Sequence, residues 1–290
     1  MELPETVLRL FSPPLSDALR AAKISSPEEL RCRLDRPITV VAGGRGNMLS
    51  ATRITAGEID RIVERASRSS LYSHQEELRH GFIHASGGVR IGLCGTINEN
   101  EHDHLISGIR QISSLSIRIP REIRGCADEI YRILSSGLPG NTLILSPPGY
   151  GKTTLLRDLI RLMSDGGLRV SVADERGEIS AACDRVPGFD LGLNTDVMVG
   201  GRKRDSAMML LRSMSPQVLA FDEITDPEDL EMIAQVIGCG ARLLATAHAK
   251  DKSALQKRAL YRSVLSAGIF DTAVWILQEG GKRRYCLETL

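Results

Sequence analysis

The stretch "LILSPPGYGKTTLLRDLI", Leu143 to Ile160, leaves few folds open. An apolar run suited to a buried strand meets a turn of two prolines and two glycines. A lysine, two threonines and an amphipathic helical period follow. Glycines let backbone N–H groups face inward, and a helix N-terminus adds partial positive charge. The segment therefore predicts a strand, a phosphate-cradling loop and a helix, a variant of G-x-x-x-x-G-K-[ST] with Ser146 in the place of the first glycine. Pro147 and Pro148 hold the loop extended, Gly149 and Gly151 supply its bends, and Tyr150 lies between them. Lys152 is expected to reach the β- and γ-phosphates of ATP, with the Thr153 hydroxyl on Mg²⁺. Thr154 and the amides of Gly149 to Thr153 would take the remaining oxygens.

From Thr142 onward, apolar runs alternate with helical periods. The runs are "TLILS", "LRVSVAD", "TDVMVG", "QVLAFDE" and "ARLLATAH". Continuous buried strands separated by helices indicate a mostly parallel sheet covered on both faces. In such sheets ligands bind beyond the C-terminal strand ends, so the residues that close each run matter most. "QVLAFDEI" closes on Asp222 and Glu223. Asp222 is expected to bind Mg²⁺ through a water, and Glu223 to polarise the attacking water. The plainer reading is a solvated acidic pair. Glu175 and Glu178, after "LRVSVAD", compete with Glu223, and the residues alone leave that contest open. "ARLLATAH" closes on Thr246 and His248, the last histidine of the chain. His248 is expected to sense the γ-phosphate; a capping or surface role is its alternative. "AVWILQEGGKRRYCLET" reads as a hairpin around Gly280–Gly281.

The first part of the chain reads differently. "RPITVVAGG" is a candidate strand, and Thr55 with Glu58 forms a capping-box pattern that opens a helix. "GFIHASGGVRIGLCGTI" suggests a hairpin at Gly87–Gly88. We therefore expect a small α+β domain over 1–125, a linker over 126–141 and an α/β domain over 142–290. The six cysteines form no CxxC pair and read as buried, reduced thiols. Glu2 and Glu5 at the N-terminus do not suit a secretory signal, and no apolar run approaches the roughly 18–20 residues of a membrane span. A cytosolic location is expected, with any membrane role exercised through partners.

Loop, acidic box, acidic strand end and histidine-bearing strand occur in the order that resembles the secretion-superfamily ATPases of type II and type IV systems and pilus motors. "DERGEI" resembles their Asp box, "LLRSMSPQVLAFDEITDPED" the segment around their Walker B strand, and "ATAHA" their His box. "GGVRIGLCGTI", "ISSLSIRIPREIRGCA" and "SPPGYGKTTLLRDLIR" are similar to the stage III sporulation protein AA family almost throughout. One departure from the superfamily is the Asp222–Glu223 ending, where Gly-Glu is usual; it strengthens Glu223. The resemblance implies a RecA-like P-loop domain behind a mobile N-terminal domain, and a hexameric ring using ATP and Mg²⁺. It also implies a cytosolic motor partnered by membrane proteins of a sporulation channel. Arg118 and Arg121 match family positions for the arginine that offsets charge on the γ-phosphate, with Arg90 and Arg212 behind them.

A rival is a nucleic-acid translocase on the same core, drawing on "GGRKRDS" and "GGKRRY". Lys+Arg 37 against Asp+Glu 36, a net charge of +1 and 4% aromatic residues disfavour it. A third reading is a nucleotide-gated scaffold with little turnover.

Overall fold

The computed structural model describes residues 3–24, 26–42, 45–67, 78–99, 106–120, 122–135, 140–182, 187–280 and 282–290. The chain divides into two compact units: Met1–Arg121 with Ala181–Gly188, and Glu122–Ser180 with Phe189–Leu290.

The first unit is built on an antiparallel sheet. Its strands are β1 (Glu29–Arg33), β2 (Pro37–Ala42), β3 (Arg45–Arg53), β4 (Phe82–Ala85), β5 (Val89–Glu99) and β6 (Ile106–Arg118), ordered β3-β2-β1-β6-β5-β4. Side chains alternate across a strand. Leu30, Cys32, Ile38, Val40, Ile91 and Ile117 share one core with Val7, Leu15, Ile59 and Ile62. Those last four come from α1 (Glu5–Leu8), α2 (Pro13–Ala21) and α3 (Ala56–Ala66). The Gly87–Gly88 turn joins β4 to β5 antiparallel, as the sequence suggests. The capping box is half realised. The Thr55 side chain accepts the Glu58 N–H, whereas Glu58 Oε1 accepts the Ser12 N–H at 2.7 Å and so ties α3 to the start of α2.

The second unit is a seven-stranded sheet between two helical layers. Its strands are β7 (Thr142–Ser146), β8 (Val170–Asp174), β9 (Thr195–Val199), β10 (Val218–Glu223), β11 (Arg242–His248), β12 (Thr272–Glu279) and β13 (Lys282–Thr289), ordered β13-β12-β7-β11-β10-β8-β9. All pairings are parallel except β12 with β13. On one face Ile144, Val172 and Ala220 pack with Ile130 of α4 (Asp128–Leu134) and Leu155, Leu156 and Leu159 of α5 (Lys152–Asp165). On the other, Leu143, Leu145 and Phe221 pack with α6 (Lys203–Met214), α7 (Glu228–Gly238), α8 (Lys252–Lys257) and α9 (Ala259–Ser266). Burial on both faces explains why β7 and β8 are apolar without alternation. The fold class is therefore the expected one. The 126–141 stretch, read as a linker, carries α4, whose entry is held by Asp158 Oδ2 accepting the Ala127 N–H at 2.9 Å.

Two expectations about side chains change. Among the described cysteines only Cys32 is buried; Cys94, Cys239 and Cys286 are exposed and Cys126 is half-buried, while Cys183 lies outside the described residues. Burial pushes the Cys32 thiol up to about 12 and the Cys126 thiol to about 11, so both stay protonated. Of the run Arg202, Lys203, Arg204, on which the nucleic-acid reading draws, Arg202 is exposed but the other two are engaged within the protein. Lys203 is buried, with Nζ 3.0 Å from Asp229 Oδ2 and 2.6 Å from the Glu223 carbonyl, and Arg204 pairs with Glu231 at 3.2 Å.

Asp229 Oδ2 also accepts the Thr225 and Asp226 N–H groups, so the buried pair ties the first turn of α7 to the segment that follows β10. Removing one member of a buried pair strands the other charge. Asp229→Ala is expected to lower unfolding stability by about 3–5 kcal/mol in urea titration, and Arg204→Ala, at a half-exposed pair, by about 0–1 kcal/mol. Equal effects would show that the Lys203 pair does not carry this anchoring.

Candidate phosphate-binding site

The loop between β7 and α5 has the backbone its glycines predict. Gly149 and Gly151 stand at φ 78° and 95°, a left-handed region that penalises any Cβ. Ser146 needs no glycine, because it is still in extended β7, where its N–H and carbonyl continue the sheet; its carbonyl accepts the Ala249 N–H at 3.2 Å. Gly151 caps α5 without any side chain, so the first-turn amides have no side-chain acceptor and point to an anion.

Beside this loop lies a cleft of about 410 Å³, wholly within the second unit. Gly149, Gly151, Lys152, Thr153 and Thr154 line it from the loop and α5; Asp174, Glu175, Glu178, Asp222, Glu223 and His248 are among the residues that line it from elsewhere. Ser146, Pro147, Pro148 and Tyr150 do not line it. The first two meet Lys152 through their carbonyls, at 3.4 and 3.5 Å from Nζ, and Tyr150 packs against the α5 core.

Strand order brings the polar ends together. β11 lies between β7 and β10, so His248 pairs with Ser146 across the ladder and Thr246 with Glu223. The Asp222 carboxylate accepts from Thr246 Oγ1 at 2.9 Å and from Thr153 Oγ1 at 3.4 Å. The β10–β11 register shifts between Ala220 and Glu223, a local irregularity of the kind that re-aims side chains beside sites. Consecutive residues Asp222 and Glu223 thereby both reach the cleft.

His248 bridges the lysine and the glutamate. Its Nδ1 is 2.6 Å from Lys152 Nζ and its Nε2 3.2 Å from Glu223 Oε2. With Lys152 as an ammonium, Nδ1 accepts and Nε2 carries the hydrogen that faces Glu223. Lys152, His248 and Glu223 thus form one hydrogen-bonded chain. Asp174 is committed elsewhere, since its carboxylate accepts the Ile179 and Ser180 N–H groups and the Ser180 hydroxyl. Glu178 reaches the cleft edge, its carbonyl held by Arg157, which is itself buried and stacked over Phe189.

The donor set suits a small hard cation. A hydroxyl and a carboxylate 3.4 Å apart are oxygen ligands of the Mg²⁺ type, with phosphate and water to complete the shell. Among the described residues no group of three or more His, Cys, Asp or Glu forms a metal cage. Of the candidate arginines, Arg121 lies outside the described residues, and Arg212 is exposed on α6. Arg118 belongs to the first unit, paired across the ladder with Arg90, which lies over the Phe82 ring at 4.1 Å.

Two contributors were not read from the sequence. Lys203 holds the Glu223 carbonyl, and Arg157 supports the Glu178 loop. Neither gave a local signal: by helical period Arg157 falls on the polar side of α5, beside Arg161 and Ser164, and Lys203 sits in a run of basic residues.

The family model described as sporulation stage III, protein AA matches residues 2–285. The chain belongs to this family. It is 36% identical over 250 residues to stage III sporulation protein AA of Bacillus subtilis (strain 168), covering 84% of this chain and 80% of that one. It is also 30% identical over 152 residues to the protein SEEDLING PLASTID DEVELOPMENT 1 of Arabidopsis thaliana, covering 50% of this chain and 22% of that one. Among solved structures it resembles the Legionella pneumophila ATPase DotB, at TM-score 0.60, 16% identity and 99% and 82% coverage of the two chains. It likewise resembles the pilus retraction motor PilT with bound ADP, at TM-score 0.63, 17% identity and 99% and 83% coverage. The fold of this family member is thus that of the secretion and pilus ATPases.

Burial lowers the Lys152 pKa below the ordinary lysine value, and Glu223 and Asp222 only partly counter it. The ammonium is the form that pairs with phosphate, so its charge is lost at lower pH than an exposed lysine's. Affinity for a polyphosphate anion is expected to fall with rising pH before the usual lysine range, at about 10.4, is reached. Lys152→Arg should remove that alkaline limb. A wild-type affinity flat up to the ordinary range would contradict the assignment.

Proposed function

We propose that this chain is a Mg²⁺-dependent ATPase and works as the motor of a sporulation channel assembly. One observation carries the reading: in a single cleft on an ATPase fold, the loop threonine meets Asp222 directly and the loop lysine meets Glu223 through His248. Fold alone does not fix activity, so the weight lies on that geometry.

ATP would lay its phosphates on the first turn of α5 and on Lys152. Thr153 and Asp222 would hold Mg²⁺, which when bound would neutralise phosphate charge. The γ-phosphate competes with His248 for the lysine ammonium. Pairing with phosphate frees His248 Nδ1, and the Nε2 hydrogen bond to Glu223 can then change with it. His248 so becomes a physical link between occupancy of the loop and the orientation of Glu223. Glu223 then orients the attacking water and accepts its proton; Glu178, at the cleft edge and unattached to His248, is the weaker candidate. Arg118 or Arg121 would offset the γ-phosphate charge, arriving from the first domain or from a neighbouring subunit. The family setting favours a hexameric ring whose domains move with the nucleotide cycle, located in the cytoplasm and docked to membrane proteins. Among the described residues no helix is long and apolar enough to cross a membrane.

The nucleic-acid reading is weakened at one of its two basic runs, since Lys203 and Arg204 are engaged in ion pairs.

Lys152→Ala is expected to abolish ATP binding measured by calorimetry. Glu223→Gln should bind ATP but hydrolyse it on the order of 100-fold or more slowly, in the range set by loss of a general base. The same loss in Glu178→Gln, with Glu223→Gln active, would reassign the base. Sizing by light scattering with a non-hydrolysable ATP analogue and Mg²⁺ should show a ring; a monomer under all conditions would remove the oligomeric part of the proposal.

A further inference from the structure

The C-terminal hairpin brings a cation to the phosphate loop. β12 runs parallel to β7, and their last paired residues are Trp275 and Leu145. From there β12 continues through Ile276, Leu277, Gln278 and Glu279 before turning back, an overshoot of about 13 Å at the usual strand rise. The overshoot occurs at the C-terminal sheet edge, where the loop lies. On the return strand Arg283 pairs with Gln278 across the ladder.

The Arg283 guanidinium rests against Gly151. A Cβ at that glycine would stand 2.8 Å from its Cζ and 3.0 Å from each terminal nitrogen. Arg283 also lines the cleft. Its neighbour Arg284 is committed to Glu279 at 3.3 Å, whereas among the described residues Arg283 has no carboxylate within ion-pair distance. An unpaired guanidinium is thus held at the N-terminus of α5, against the glycine that precedes Lys152 and in the cleft that Lys152 also lines. A guanidinium with no carboxylate of its own, set at the positive end of a helix, is placed to take up an anion.

We propose that Arg283 is a nucleotide-binding residue, its guanidinium pairing in cis with the α- and β-phosphates that ATP and ADP share. This deepens the nucleotide reading above and rests on it. The choice of phosphates follows from place. Loop amides around Gly151 cradle the α- and β-phosphates, while the lysine reaches toward the γ-phosphate. A group lying on Gly151 therefore addresses the part of the ligand that survives hydrolysis. The planar guanidinium offers a rigid fork that matches two phosphate oxygens in one plane, whereas an ammonium acts as a compact point charge.

The test measures Kd for ADP and for a non-hydrolysable ATP analogue by calorimetry, in wild type, Arg283→Ala, Arg283→Lys and Arg284→Ala. Arg283→Ala should weaken both ligands by similar factors of about 10-fold or more, the scale of a charge-assisted hydrogen bond. Arg283→Lys should lie between, and Arg284→Ala should match wild type. Turnover at saturating ATP should change far less than KM. Two results overturn the proposal: Arg283→Ala binding both ligands as wild type does, or losing ATP affinity alone, which would move the contact to the γ-phosphate. If wild type itself binds neither ligand, the nucleotide reading fails, and this proposal with it. Arg283 is exposed, so an unchanged thermal melting curve for both variants is expected to exclude misfolding as the cause.

Discussion

The site depends on keeping an ammonium charged where its surroundings disfavour charge. Lys152 is buried at the start of α5, near two loop carbonyls and one imidazole nitrogen. Those acceptors satisfy its hydrogens but bring no full negative charge into contact. The carboxylates of Asp222 and Glu223 act on it from further away. Such a cation is stabilised most by an anion that can displace the weak acceptors. The left-handed Gly149 and Gly151 make room for that anion by turning the chain without side chains.

The sheet does the remaining work. Parallel strands all end at the same edge, so β7, β10 and β11 deliver Ser146, Asp222–Glu223 and Thr246–His248 to one cleft. Helices on both faces bury the strands behind those ends. The supporting contacts are as specific as the lining ones. Lys203 and Asp229 fasten the Glu223 carbonyl from behind, and Arg157 fastens the Glu178 loop. Buried charges in such places restrict where a carboxylate can point.

Much of this was legible in the residues. Strand, glycine turn, lysine and threonine are contiguous, so the loop could be read locally. The alternation of apolar runs with helical periods likewise identified the parallel sheet, because burial on both faces leaves a continuous apolar signature. Other features were not legible. In the sequence Lys203 and Arg283 are each one of several charges in the basic runs on which the nucleic-acid reading draws. Nothing in a local window shows that one is buried against Asp229 and the other lies on Gly151. Glu58 was expected to close its own helix start, yet it binds Ser12, a residue 46 positions away.

By itself the sequence determined the local conformations: where the chain turns left-handed, where a helix opens with no side-chain cap, which strands are buried on both sides. These depend on near neighbours and on side-chain period. Tertiary structure alone decided which charges meet, because strand order, not chain order, places β11 between β7 and β10 and sends the β12–β13 hairpin past the end of β7. Hydrogen bonds and ion pairs act over a few ångströms, and that proximity exists only after the sheet has formed.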